Sequence, residues 1–190
     1  NYEHQGDSAQ FRAFNGIINH ELLPNYDGQF ALTLSSVDSL IELPTLEFGS
    51  FSESFSTSEG DYSLNLTLPA TDEIILQNHL FTLAENSDKT IFFYLEENDV
   101  DLDGDGDVDE DGDGYVDEVE ITVKSLVVDN SVSSSIYDHD ITIINFVDAD
   151  DFNSVRFYFV RSDELIDNAS LSQSTIYSSP ESITLVNNTY

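Results

Sequence analysis

The sequence predicts an all-β protein, with antiparallel sheets packed as immunoglobulin-like sandwiches and a loop inserted between two strands, and three observations carry the all-β reading. Short alternating apolar and polar runs recur along the 190 residues, each bounded by Gly, Asn, Asp, Ser or Pro. No sustained helical spacing of apolar residues interrupts them. The apolar fraction of 39%, with thirteen Phe and nine Tyr, suffices for a packed core despite a formal charge of −33.

Taken in order, the strands are Gln10–Ile17, Gln29–Leu34, Thr45–Glu53, Tyr62–Leu68 and Glu73–Thr82, each a run that ends at a cluster of turn-forming residues. Lys89–Glu96 follows, and its segment Lys-Thr-Ile-Phe-Phe-Tyr-Leu is too apolar to face water on either side, which places it at a sandwich centre. Glu120–Val128, Asp140–Phe146, Ser154–Val160 and Ser182–Val186 complete the series. Antiparallel pairing is expected throughout, because parallel strands need crossover connections and no crossover helix is legible.

The chain also repeats itself. Phe11-Arg-Ala-Phe-Asn15 aligns with Ile141-Thr-Ile-Ile-Asn145, and Ser54–Tyr62 aligns with Ser182–Tyr190, with Gly60 and Asn188 at the same turn position. Two copies of one domain are expected: residues 1–130, which include a loop at 99–120, and residues 138–190. The second copy has no counterpart of the strands after Tyr62. Trimming, sheets shared between the halves, or strands supplied by a neighbouring molecule would each account for that; the last would build filaments.

The Arg12-to-Asn15 strand, the run Phe48-Gly-Ser-Phe-Ser52, the Ser-Glu-Gly-Asp-Tyr turn at 58–62 and the Lys-Thr-Ile-Phe-Phe strand from Lys89 carry a resemblance. Together they are similar to an uncharacterised tandem immunoglobulin-like repeat of bacterial secreted and lipid-anchored proteins. The resemblance covers residues 10–130 and part of 138–190. It implies sandwich domains in tandem, an exported location and no catalytic residues. The family's His-Ala-Ser-Pro-Asp-Ala-Pro signature is replaced here by Ile17-Ile-Asn-His-Glu21 and Val147-Asp-Ala-Asp-Asp151.

From Asp99 to Glu120 the chain carries twelve carboxylates and no basic residue. The stretch is an octad repeat, Asp101-Leu-Asp-Gly-Asp-Gly-Asp-Val and Asp109-Glu-Asp-Gly-Asp-Gly-Tyr-Val, closed by Asp117-Glu-Val-Glu120. Counted from Asp109, carboxylates fall at positions one, three, five, nine and twelve: Asp109, Asp111, Asp113, Asp117 and Glu120. Gly114 stands at six and Tyr115 offers its carbonyl at seven, the spacing of an EF-hand calcium loop. Alternate residues of a curled loop point at one centre, and Ca²⁺ takes six to eight hard oxygens. Counted from Asp101, the ligands are Asp101, Asp103, Asp105, the Asp107 carbonyl and Asp109, but Gly112 occupies position twelve. That first site lacks its Glu and borrows Asp109 or Asp111 from its neighbour. The octad resembles the overlapping calcium runs of dockerin-like and thrombospondin type 3-like repeats. Val108 and Val116 are the expected apolar anchors. The competing interpretation is a solvated acidic linker, which requires neither the regular Gly positions nor the valines. Two carboxylates about 4 Å apart repel by about 4 kcal/mol at an effective dielectric near 20, so the curled loop calls for cations. Strands flank it where an EF-hand has helices, so the expected role of Ca²⁺ is to stiffen a connection and not to switch one.

Composition excludes other functions. Five basic residues, Arg12, Lys89, Lys124, Arg156 and Arg161, stand singly among 38 acidic ones, which rules out a nucleic-acid interface and disfavours anionic membranes. No apolar run reaches the roughly 20 residues of a membrane span. Without Cys there are no disulfides, zinc thiolates, iron–sulfur clusters or thiol nucleophiles. Met is absent, so Asn1 reads as a processed end or a fragment edge, with room upstream for a signal peptide or lipid anchor. His4, His20, His79 and His139 lie far apart, Ser residues form no Gly-x-Ser-x-Gly elbow, and nothing singles out a carboxylate pair for glycoside hydrolysis. The expectation is a non-enzymatic, calcium-stabilised structural or adhesive protein of the bacterial cell exterior. Its partners would be copies of itself in a filament assembled by strand donation, a surface polysaccharide, or another surface protein. As a carbohydrate-binding accessory domain it would expose aromatics such as Tyr94, Tyr137, Tyr158 or Tyr177 along one face.

Overall fold

Strict alternation in the first strand fixes its place between two layers. In β1 (Ser8–Asn15) the side chains of Ala9, Phe11, Ala13 and Asn15 are fully buried while Ser8, Gln10 and Arg12 are exposed. The same period of two runs through β2 (Gln29–Ser35), which buries Phe30, Leu32 and Leu34, and β6 (Gly60–Thr67), which buries Tyr62, Leu64 and Leu66. The computed structural model describes residues 8–112, 116–130, 138–147, 154–161, 163–169 and 171–186. Among them are thirteen strands, one 3-10 turn at Ile166–Asn168 and no α-helix, so the protein is all-β. The remaining strands are β3 (Leu40–Glu42), β4 (Leu46–Glu47), β5 (Phe55–Ser58), β7 (Ile74–Leu83), β8 (Asp88–Asp99), β9 (Val119–Asp129), β10 (Asp138–Ile143), β11 (Ser154–Phe159), β12 (Leu171–Ile176) and β13 (Glu181–Val186).

The chain divides into two units, Asn1–Asp129 and Asn130–Tyr190. In the first, one sheet runs β5-β1-β8-β9 and the other runs β3-β2-β6-β7, with β4 also paired to β2. The two sheets share one apolar core. Phe11 of β1 meets Phe81 of β7 edge-on at 5.8 Å, and Phe30 of β2 meets Phe93 of β8 edge-on at 5.3 Å, so aromatic rings from both layers interlock in a sandwich-like pair.

Pairing departs from expectation at one place. β1 and β8 run parallel, from Gln10 opposite Asp88 to Asn15 opposite Phe93, while the other strand pairs are antiparallel. The physical reason is that β1 and β8 are separated by the whole second sheet, a connection long enough to return the chain in the same direction without a helix. The expected strand Thr45–Glu53 is also corrected. Only Leu46–Glu47 pairs as a strand; Gly49, at φ +73°, turns the chain so that its amide donates to the Asn15 carbonyl at 2.7 Å. Gly16 serves a close approach, because a Cβ there would stand 2.9 Å from the Phe93 carbonyl oxygen.

In the second unit β10 pairs antiparallel with β13, and β11 pairs antiparallel with β12. The first of these pairs reproduces the register of β1 with β5: Ser8, Ala9, Gln10 and Phe11 oppose Ser58, Thr57, Ser56 and Phe55, and Asp138, His139, Asp140 and Ile141 oppose Val186, Leu185, Thr184 and Ile183. The turn after each first strand matches as well. Asn15 Oδ1 accepts from the Ile17 amide at 3.0 Å, and Asn145 Oδ1 accepts from the Val147 amide at 2.9 Å. The repeat's tail, Asn187–Tyr190, lies outside the described residues.

Candidate metal centre

Eleven register pairs, from Lys89 opposite Asp129 to Asp99 opposite Val119, make β8 and β9 the longest hairpin of the protein. Lys89 Nζ bridges Asp129 at 2.8 Å and Lys124 Nζ bridges Glu96 at 3.0 Å, placing both lysines of the chain on this hairpin. The Glu96 hydrogen bond holds the Lys124 ammonium above its ordinary pKa. Burial along β8 is confined to Thr90–Tyr94, and Glu97, Asn98 and Asp99 are exposed. The acidic segment is therefore carried on the part of the hairpin that has left the core.

Within the loop, carboxylates wrap backbone amides. Asp101 accepts from the Gly104 amide at 2.5 Å and the Gly106 amide at 2.9 Å, Asp103 from Asp105, Asp105 from Asp107, and Asp107 from Val108 and Asp109. Gly104, Gly106 and Gly112 have φ of +83°, +92° and +71°, a conformation that side chains other than Asn and Asp resist. The two halves of the loop are joined where the Asp117 amide donates to the Val108 carbonyl at 2.8 Å. Val108 and Val116 are half-buried and stand outside the main core.

Three carboxylate groups form among the described residues, each with oxygens within 4.8 Å of one another: Asp101, Asp103 and Glu118; Asp103, Asp105 and Glu110; and Asp109, Asp111 and Asp117. Donor sets made only of hard oxygens suit Ca²⁺ and not a soft metal. Glu118 also accepts from the Leu102 amide at 2.7 Å. The spacing argument points to Glu120, yet Glu120 sits in β9 opposite Asn98 and joins none of the three groups. Asp107 likewise belongs to none of the groups formed among the described residues. Asp113 and Tyr115 lie outside the described residues. Glu110 and Glu118 are the residues that spacing did not single out, since the folding back of the hairpin brings them to the first octad. Asp103 and Asp105 hold the fully exposed Glu110 carboxyl above its ordinary pKa.

Of the aromatics offered for a sugar-binding face, Tyr177 is half-buried. Tyr94 is buried at 8% exposure, Tyr158 is 45% exposed on β11, and Tyr137 lies outside the described residues. In the first unit the exposed Phe51 ring packs against half-buried Phe14 and Phe92, with the Arg12 guanidinium 4.8 Å from the centre of the Phe51 ring. Among the described residues no helix is long and apolar enough to cross a membrane. No family model matches the chain. No curated protein matches it either.

Proposed function

We propose that this protein is a non-enzymatic structural or adhesive module of the bacterial cell exterior, with immunoglobulin-like sandwich architecture, in which Ca²⁺ stiffens the connection between β8 and β9. One observation carries the reading: three groups of converging carboxylates at the tip of a single hairpin, two of them sharing Asp103. Bound cations would neutralise a crowded loop that otherwise repels itself, and Glu110, whose carboxyl Asp103 and Asp105 hold above its ordinary pKa, is the local sign of that crowding. Asp101, Asp103 and Glu118 would hold one ion, and Asp109, Asp111 and Asp117 another, with backbone carbonyls and water completing each shell. Loops of this kind in extracellular modules bind at about 10⁻⁴–10⁻³ M, an affinity matched to a calcium-rich medium outside the cell.

Calorimetric titration of the chelator-stripped chain with CaCl₂ tests the proposal. Saturable binding in that range is expected, together with a melting temperature raised by about 5 °C for each site filled at a tenfold excess, where each site adds about 1.4 kcal/mol. An absence of binding heat and an unchanged melt would defeat it.

A further inference from the structure

We infer that the β10–β13 and β11–β12 pairs correspond to the β1–β5 and β2–β3 parts of the sandwich in Asn1–Asp129, and that the edges of β10 and β11 left uncovered among the described residues accept strands from a polypeptide segment of the β6–β9 kind. This inference does not draw on the cation reading.

The first unit shows what covers the corresponding edges. There β1 and β2 are interior strands: β8 lies on the edge of β1 away from β5, and β6 lies on the edge of β2 away from β3. By register, β10 and β13 stand for β1 and β5. By order along the chain, β11 and β12 stand for β2 and its partners β3 and β4. Among the described residues each sheet of the second unit stops at two strands, which leaves β10 and β11 as edges. Pairs of two-stranded sheets are marginal by themselves, and edges of this kind attract further strands.

Burial supports the same conclusion independently. Phe30, Leu32 and Leu34 of β2 are fully buried, whereas Val155, Phe157 and Phe159, the alternating apolar face of β11, are only half-buried. Phe11 is fully buried and its counterpart Ile141 is half-buried. The interior also lacks a bond that the first unit makes. Asn15 Nδ2 donates to the Leu46 carbonyl at 2.9 Å, but Asn145 Nδ2, in a residue 3% exposed, meets no acceptor.

The geometry of the incoming strand follows from that of β8. The Gln10 amide donates to the Ser87 carbonyl at 2.7 Å and the Gly16 amide to the Phe93 carbonyl at 2.8 Å, so even-numbered amides of β1 point toward β8. The offset of 130 puts the amides of Asp140, Thr142 and Ile144 on the open edge of β10. A parallel strand is expected there and an antiparallel one on β11. Phe146 replaces Gly16, so the close approach made by the Phe93 carbonyl is not repeated and the added strand diverges after Asn145. A second copy of this chain is a poor donor, since its own β6–β9 are already built in and two copies of charge −33 repel.

The test extends the full chain. Tyr190 aligns with Tyr62, so appending a copy of residues 63–129 after Tyr190 continues the repeat in register. Hydrogen exchange at Asp140, Thr142 and Ile144 is expected to be fast in the unextended chain and about a hundredfold slower in the extended one. Because the appended copy can misfold, a synthetic peptide of the Asp88–Asp99 sequence, added in millimolar excess to the unextended chain, gives a second reading with the same expected slowing. The proposal is overturned if those amides are already slow in the unextended chain at every concentration. It is equally overturned if they slow only as that chain is concentrated, which would make a second copy the occupant, or if they stay fast with both the extension and the peptide.

Discussion

Asn15 shows how much one polar side chain can organise when it is buried with every partner supplied. Its amide nitrogen donates to the Leu46 carbonyl, while its oxygen accepts from the Ile17 amide and lies 3.1 Å from the Tyr26 hydroxyl. Burial pushes the Tyr26 hydroxyl above its ordinary pKa, and the Asn15 contact offsets part of that rise. The folded state therefore holds this proton more tightly than the unfolded chain. The resulting stability is fully present below the usual phenol value near 10 and is lost as pH rises through the higher folded value. Urea melts across pH 9–12 are expected to show a steeper alkaline decline in the native chain than in Tyr26→Phe; identical declines would assign the effect elsewhere. At the hairpin tip a second residue-level prediction separates geometry from spacing. Glu118→Gln is expected to weaken calcium binding about tenfold, by removing a charged ligand, while Glu120→Gln leaves it within twofold by calorimetry. The aspartates were legible because alternate positions of one curled loop converge on one side. Glu118 was not, because it reaches the first octad across the hairpin, and linear spacing carries no record of what folds back.

At the scale of elements, the cation site proposed at the tip of the β8–β9 hairpin is also sensitive to the proton. Glu110 has a folded pKa raised first by Asp103 and then by Asp105. Protonation thus favours the curled loop at low pH, and that help is lost as pH rises through the raised value. Protons and Ca²⁺ compete for the same oxygens, so calcium affinity is expected to fall severalfold from pH 7.5 to pH 5 in titrations at constant ionic strength. A pH-independent affinity would remove Glu110 and its neighbours from the site. Strands with strict alternation, such as β2 and β6, could be read from the sequence nearly to their ends. β3 escaped because three residues carry no period, and β12, Leu-Ser-Gln-Ser-Thr-Ile, escaped because its apolar residues stand only at its ends. The parallel pairing of β1 with β8 was hidden for another reason: alternation states which face a residue takes and says nothing of which strand lies beside it.

Considered whole, the protein divides into two units, Asn1–Asp129 and Asn130–Tyr190. Chelation is expected to lower the unfolding transition of Asn1–Asp129 by about 5 °C for each site emptied and to leave exchange rates in β10–β13 unchanged, as read by hydrogen exchange resolved along the sequence. Equal loosening of both units would show that the cation acts beyond its hairpin. In so acidic a chain these positive charges are spent locally: Arg12 donates to Thr90, Arg156 to Ser174, and the two lysines brace β8 and β9. The parallel neighbour of β1 carries a consequence in time. Arg12 and Thr90, side by side in the finished sheet, are 78 positions apart, and a ribosome adding about 5–20 residues per second needs roughly 4–16 s to deliver the second after the first. Throughout that wait β1 lacks its parallel neighbour, and the mutual repulsion of strongly acidic chains opposes its zipping onto a sibling.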